Sequence, residues 1–378
     1  MNELILGVLL VLSCISMQAN ALTLNTNDAI KFQHLSVEHG LSQNNVFSVA
    51  QDNNGFIWIG TENGLNRFDG YSFKQYRKNI SLPNSIADNF IRKVFVDSKG
   101  TLWIGTNNGL SRYNEATDDF TNFYHLPNDK ASLKDNEIWD IYEDKPKVAQ
   151  ENGSNIQGKR SLWITTQLGI HIFDRIENKI TRKKIRGYED SFREIKTIFQ
   201  DEKNQYWLGS YSDGITVVNE SFSLASKLSG HNKWQLNINA DALYDMKQIN
   251  GDYWLATDSG LYVINEQFEL ARHYKVDSSP QSLLSDTVRG VTLVDNVYVW
   301  AATKNGLNII NTFDNSVISI ENQLHSKSIS DNYLVDIFQD DTGKVWLGTY
   351  GKGLSVFSPK ANSFHHRYYS NELHTIEF

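Results

Sequence analysis

Apolar and polar residues in this chain come in short alternating runs, each closed by Asn, Asp or Gly. In residues 46–76, Val46–Gln51 is a β-rich run, Asp52-Asn53-Asn54-Gly55 a turn and Phe56–Thr61 a second run. Glu62-Asn63-Gly64 then turns, Leu65–Phe68 is a third run and Phe73–Tyr76 a fourth. Short apolar and aromatic runs bounded in this way predict strands. A helix needs an apolar face sustained over about ten residues, and no such face is present.

The pattern repeats. Gly55-Phe56-Ile57-Trp58-Ile59-Gly60-Thr61 returns as Leu102-Trp103-Ile104-Gly105-Thr106, and again around Trp163, Trp207, Trp254, Trp300 and Trp346. The seven tryptophans are spaced 45, 60, 44, 47, 46 and 46 residues apart. The long interval is explained by a polar insertion, Lys145–Lys159, between the first two strands of its unit. It is expected to leave as a mobile surface loop. A period in the forties with several strands per unit predicts an all-β fold, a seven-bladed β-propeller of four-stranded blades over residues 30–370. Residues 371–378 form a short tail.

A closed ring must pair its last edge. Two segments compete for the outer strand of blade seven, Lys31–Leu35 and Phe364–Tyr369. The local strand, Phe364–Tyr369, is the expectation, with the N-terminal one docked nearby or reserved for further chain. The sequence alone does not choose between them.

Composition narrows the function. Residues 4–15 are apolar but too short to span a membrane, and Ala19-Asn20-Ala21 offers a small-x-small cleavage site, so residues 1–21 read as a signal peptide. Met1-Asn2-Glu3 departs from the usual pattern in lacking Lys or Arg. Cleavage after Ala21 removes Cys14, the single cysteine, and with it all disulfide and thiol chemistry. An exported, periplasmic product is expected, with no later membrane segment. The formal net charge of −8 disfavours nucleic acid as a partner, because phosphate neutralisation needs a basic surface.

The run Asn-x-Val-x-x-x-x-Gln-Asp-x-x-Gly-x-x-Trp-Ile-Gly-Thr-x-x-Gly-Leu from Asn44 to Leu65 resembles the two-component regulator propeller repeat. His-Gly-Leu-Ser-Gln-Asn at His39–Asn44 and Phe68-Asp69-Gly70-Tyr71-Ser72-Phe73 resemble that family's first blade. The resemblance covers about residues 30 to 370 and is loosest around Trp207 and Trp254. It implies the periplasmic sensor region of a hybrid histidine kinase or diguanylate cyclase. It also implies an output through a signalling protein or C-terminal signalling domains, and pairing of two copies as a homodimer. No kinase, cyclase or hydrolase motif follows in these residues.

No catalytic, metal-binding or cofactor-binding constellation is evident. The Asp-x-x-Gly quartets at Asp52, Asp97 and Asp340 supply too few oxygens for calcium and suit β-turns instead. His365 and His366 would face opposite sides of a strand.

The informative positions are those where the repeat fails to repeat. Phe47, Arg92, Trp139, Lys196, Tyr244, Arg289 and Val335 occupy one column at the start of the channel-lining strand. The next column holds Ser48, Lys93, Asp140, Thr197, Asp245, Gly290 and Asp336. The lead-in residues Asn44, Asn89, Asn136, Asp241, Asp286 and Asn332 either add ligand groups or bond local backbone at strand starts. Tyr211, Tyr350 and Trp234 are candidates for a rim. Aromatic rings beside Arg, Lys and Asn suit a small ligand, a neutral or anionic oligosaccharide. A protein-docking scaffold is the alternative, and a lyase-type propeller enzyme a third.

Overall fold

The structure, a computed structural model, describes residues 30–359 except 147, 152–153, 158–159, 186–193, 212–213, 220, 228–237, 239 and 324–326. Residues 1–21, Trp234, Phe364–Tyr369, His365-His366 and the tail 371–378 therefore lie outside the described residues. Seven four-stranded antiparallel sheets are formed, one per repeat. In blade one the strands are Val46–Gln51, Ile57–Thr61, Gly64–Phe68 and Phe73–Tyr76, running from the inner strand to the outer.

Each residue of the repeated phrase has a physical task. The turn aspartate Asp52 accepts the backbone N–H groups of Asn54 and Phe56 at 3.0 Å each on one oxygen. Its other oxygen accepts the Trp58 indole N–H at 2.7 Å. The same aspartate–tryptophan bond joins Asp97 to Trp103, Asp144 to Trp163, Asp201 to Trp207 and Asp340 to Trp346. The quartet is thus a turn that anchors the strand's largest side chain. Gly60 has no side chain because a Cβ there would lie 2.6 Å from Ile91 Cγ2 of the next blade. The Thr61 hydroxyl donates to the Gly64 carbonyl at 2.8 Å, closing a hairpin whose glycine sits at φ 125°.

The core is divided among the interfaces between blades. Each of seven buried apolar clusters is shared by two neighbours, as where Trp103 and Leu110 of blade two pack on Ile138, Leu162 and Phe173 of blade three. Burial at about 25 cal/mol per Å² makes each tryptophan worth several kcal/mol to its interface.

Blade seven corrects the expectation about closure. Its outer strand is Phe32–Leu35, paired antiparallel with Leu354–Phe357 from Phe32↔Phe357 to Leu35↔Leu354. The reason is packing. Phe32 and Leu35 are 4% and 5% exposed, with Phe32 edge-on to Trp300 and beside Phe357, while Leu35 enters the cluster joining blades seven and one. The N-terminal strand fills apolar space at the junction and fastens the beginning of the ring to its end. The insertion of blade three is also more ordered than a plain loop, since Val148–Glu151 pairs with Ser154–Gln157 as a two-stranded ribbon.

Candidate functional site

Every inner strand carries a β-bulge at the same place. Pairing with the second strand shifts between Val46 and Ser48, Ile91 and Lys93, Ile138 and Asp140, Ile195 and Thr197, Leu243 and Asp245, Val288 and Gly290, and Leu334 and Asp336. The residue skipped in each blade is the member of the first variable column: Phe47, Arg92, Trp139, Lys196, Tyr244, Arg289 or Val335. A strand ordinarily sends neighbouring side chains to opposite faces. A bulge re-aims one of them. Adjacent residues such as Arg92 and Lys93 therefore both line the central cavity, which holds about 520 Å³ and is walled by all seven blades.

At the mouth, cations and rings alternate in contact. The Arg92 guanidinium lies 4.9 Å from the Trp139 ring centre and 5.2 Å from Phe90. The Lys196 ammonium sits directly against the other side of this set, on Trp139, and 5.0 Å from Tyr211. Arg289 covers Tyr244 at 4.2 Å. Phe47 stacks on Phe90 at 4.9 Å and meets Tyr350 edge-on, and Tyr350 stacks on Tyr333 at 5.2 Å. Tyr211 and Tyr350 are 52% and 49% exposed, forming the rim.

The three cations of this column differ in how they are neutralised. Arg92 donates to Glu137 at 2.5 Å and to Asn107 Oδ1 at 2.8 Å. Among the described residues, no carboxylate comes within ion-pair distance of Lys196 or Arg289. Burial, with Arg92 and Arg289 nearby, pushes the Lys196 ammonium down to about 7. Among the described residues, the buried Arg289 Nε–H and Trp139 Nε1–H have no hydrogen-bond partner. Unmet buried donors cost about 1–3 kcal/mol each.

One layer deeper the sign changes. Lys93 pairs with Asp140 at 2.9 Å. Burial alone would lower its pKa, but Asp140, Asp336 and Asp245 together carry it above the usual lysine range. These aspartates also tie blades together. Asp336 accepts the Val49 N–H at 2.7 Å, Asp140 the Ile198 N–H at 3.2 Å and Asp245 the Val291 N–H at 3.0 Å. Lys93 is therefore a hub of the ring's interior rather than a group standing open at the mouth.

Five of the six lead-in residues prove to be backbone support. Asn44, Asn89, Asn136, Asp286 and Asn332 each accept, on the side-chain oxygen, an N–H of the connecting segment before them. Sequence reasoning missed a further set at the mouth, two residues before the bulge: Phe90, Glu137, Glu194 and Tyr333. Side-chain alternation places that position on the same face as the column, so a period-two extension would have found it.

Three stretches, residues 40–63, 85–108 and 328–351, match the family described as two component regulator propeller. The chain carries two-component regulator propeller repeats. Its fold is similar to the extracellular domain of BT3049 from B. thetaiotaomicron, assigned to a hybrid two component system. The TM-score is 0.72 and the identity 26%, over 87% of this chain and 42% of that one. The extracellular domain of BT4673 from the same organism shares the fold at a TM-score of 0.63 and 20% identity, over 86% of this chain and 39% of that one. A 53-residue stretch, 14% of this chain and 4% of the relative, is 45% identical to "Histidine kinase P4" of Formosa agariphila. The chain thus spans less than half the length of these proteins. No helix among the described residues is long and apolar enough to cross a membrane.

Proposed function

We propose that this propeller is the sensory part of an exported, periplasmic signalling system, and that its channel mouth binds a small ligand, an oligosaccharide. The observation that carries the reading is the sevenfold bulge, which turns a column of varied aromatic and basic residues into the wall of a shared cavity. Exposed Tyr211 and Tyr350 at the rim suit stacking on sugar faces, with Trp139 and Tyr244 deeper. The propellers it resembles belong to extracellular domains of two component systems, which supports reading the site as binding without turnover.

Signalling follows from differential affinity. A ligand that favours one arrangement of the mouth loops shifts a two-state contact with a signalling protein, or with further domains of a two-component or cyclic-dinucleotide system. The test is a thermal-shift screen of the chain from Leu22 against neutral, uronate-bearing and sulfated oligosaccharides. A ligand at 100 times its Kd stabilises by about 2.7 kcal/mol. The expected hit disappears in Trp139→Ala and weakens in Arg92→Ala. A folded protein that answers to no sugar, and instead retains a protein partner at stoichiometric amount on the same face, overturns the reading in favour of docking.

A further inference from the structure

We infer that the mouth contains an oxyanion subsite, in which Arg289 and Lys196 receive a carboxylate or sulfate group across the rings of Trp139 and Tyr244. The inference rests on reading the mouth as a ligand site and deepens it by naming the chemical group. Two observations converge. Lys196 and Arg289 are two basic groups with no carboxylate partner among the described residues, whereas Arg92 in the same column pairs with Glu137 and bonds Asn107. The Arg289 Nε–H and the Trp139 Nε1–H are buried donors without acceptors, on the wall of the same cavity. An oxyanion supplies acceptors to both and charge to both cations, and charge-assisted bonds of this kind are the strong ones.

The subsite couples to protons. The groups acting on Lys196 are Glu137 of the adjacent blade three, Arg92 and Arg289 two blades away on either side, and Glu194 on its own lead-in. Tyr211 lies against it, and Tyr244 is raised by burial, which keeps that phenol neutral. No histidine among the described residues lines the cavity. Lys196 titrates at about 7, so an anion that needs its ammonium draws a proton onto it as it binds. The predicted consequence is binding about tenfold weaker at pH 8 than at pH 6.

Calorimetric titration with inorganic sulfate, which does not change charge in this range, tests the subsite directly. Chloride at equal ionic strength is the control. Saturable sulfate binding is expected in the wild type, at least about tenfold weaker in Arg289→Gln and in Lys196→Gln. The pH effect should vanish in Lys196→Gln. A second arm compares a uronate trisaccharide with its methyl ester, which keeps the sugar and removes the charge. Sulfate indistinguishable from chloride, with acid and ester binding alike, overturns the subsite and leaves the glycan reading standing. Sulfate lost in both variants, with neither sugar binding, upholds the subsite and removes the glycan reading. Sulfate retained unchanged in both variants overturns the subsite. Thermal midpoints of the variants within a few degrees of wild type confirm that folding is not what is measured.

Discussion

Two columns of this propeller vary from blade to blade, and they vary for opposite reasons. On the third strands, Asn66, Ser111, His171, Asn308 and Ser355 occupy equivalent buried positions. Each accepts one backbone N–H from the segment that connects two blades: Ser42, Ala87, Lys134, Leu284 and Ser330, respectively. Different side chains thus do one job, because Asn, Ser and His all present an acceptor at about the right reach. In the mouth column, by contrast, Trp139 and Arg289 keep donors that nothing satisfies. Variation within a repeat is therefore not by itself a mark of function. Thr165 Oγ1 and Gln205 Oε1 are also buried and unmet, away from the cavity, so an unmet atom sets the mouth column apart only because it also lines that cavity.

The sharpest way to break this contrast is at His171. Its Nε2 accepts the Lys134 N–H at 3.0 Å, and its Nδ1–H donates to the Ile164 carbonyl at 3.3 Å. His171→Ala leaves the Lys134 N–H unmet, removes the added bond to the Ile164 carbonyl and opens a cavity, and should lower unfolding stability by about 3 kcal/mol in urea titration. If His171→Ala instead costs under about 1 kcal/mol, the third-strand column is not the bonding device described above. His171→Asn restores the side chain that blades one and six use, and should recover most of the loss.

The same residue gives the next effect. Burial pushes the His171 imidazole down to about 4, with Arg182 and Lys134 acting in the same sense. The unfolded chain takes up that proton near pH 6.5 and the folded one does not, so stability should fall as pH drops from 6.5 toward 4. The loss approaches about 3 kcal/mol by the lower end. Asp97 and Asp118 have lowered pKa values, so what they contribute is lost at more acidic pH, and the two windows are separable. His171→Asn should remove the loss above pH 4. An unchanged slope in that variant would assign it to other groups.

Much of this fold is written in the sequence, because its repeat spells out strand, turn and anchor seven times. The Asp52–Trp58 bond explains why the turn and the tryptophan recur at one spacing. Blades five and six, with Asn250-Gly251 and Asp295-Asn296 at the turn, dispense with it and turn through residues at positive φ instead. The closure was not legible. Lys31–Leu35 and Phe364–Tyr369 both read as strands, and only the burial of Phe32 and Leu35 between blades six, seven and one distinguishes the first. The candidate site was legible as a column but not as a cavity. Both columns read as channel-lining, although strict alternation would separate adjacent Arg92 and Lys93, and the bulge that reconciles them leaves no residue signature here. The lead-in asparagines were ambiguous for a related reason, since a side-chain oxygen at a strand start serves a ligand or a backbone N–H equally well until the loop is placed.

A smaller effect of opposite sign is expected at Lys196. Its folded pKa of about 7 lies below the ordinary value of 10.5, chiefly through burial. The unfolded chain therefore holds this proton more tightly, and stability should rise as pH climbs from 7 toward 10. Lys196→Met should stabilise the protein at pH 6 by about 1–2 kcal/mol, a figure reduced for the partial exposure of the side chain. The advantage should shrink as pH rises to 10. A variant that is less stable at pH 6 would mean that the ring contacts of Lys196 outweigh its desolvation, placing it with the structural column.

The smallest expected change is the most diagnostic. Arg289→Gln gives up the cation–ring contact with Tyr244, worth about 0.5–1 kcal/mol at a partly exposed site. It also removes a buried Nε–H that has no acceptor, and with it a desolvation penalty of about 1–3 kcal/mol that partial exposure of the rest of the group reduces. The two terms oppose, so stability should stay within about 0.5 kcal/mol of wild type. A residue that the fold needs behaves as His171 does, with a loss several times larger. A loss above about 2 kcal/mol at Arg289 would therefore show that its guanidinium is satisfied within the folded chain, and the two columns would no longer differ in kind. A neutral result leaves a charged, half-enclosed arginine that the fold does not use, which is the property expected of a side chain kept for something that binds.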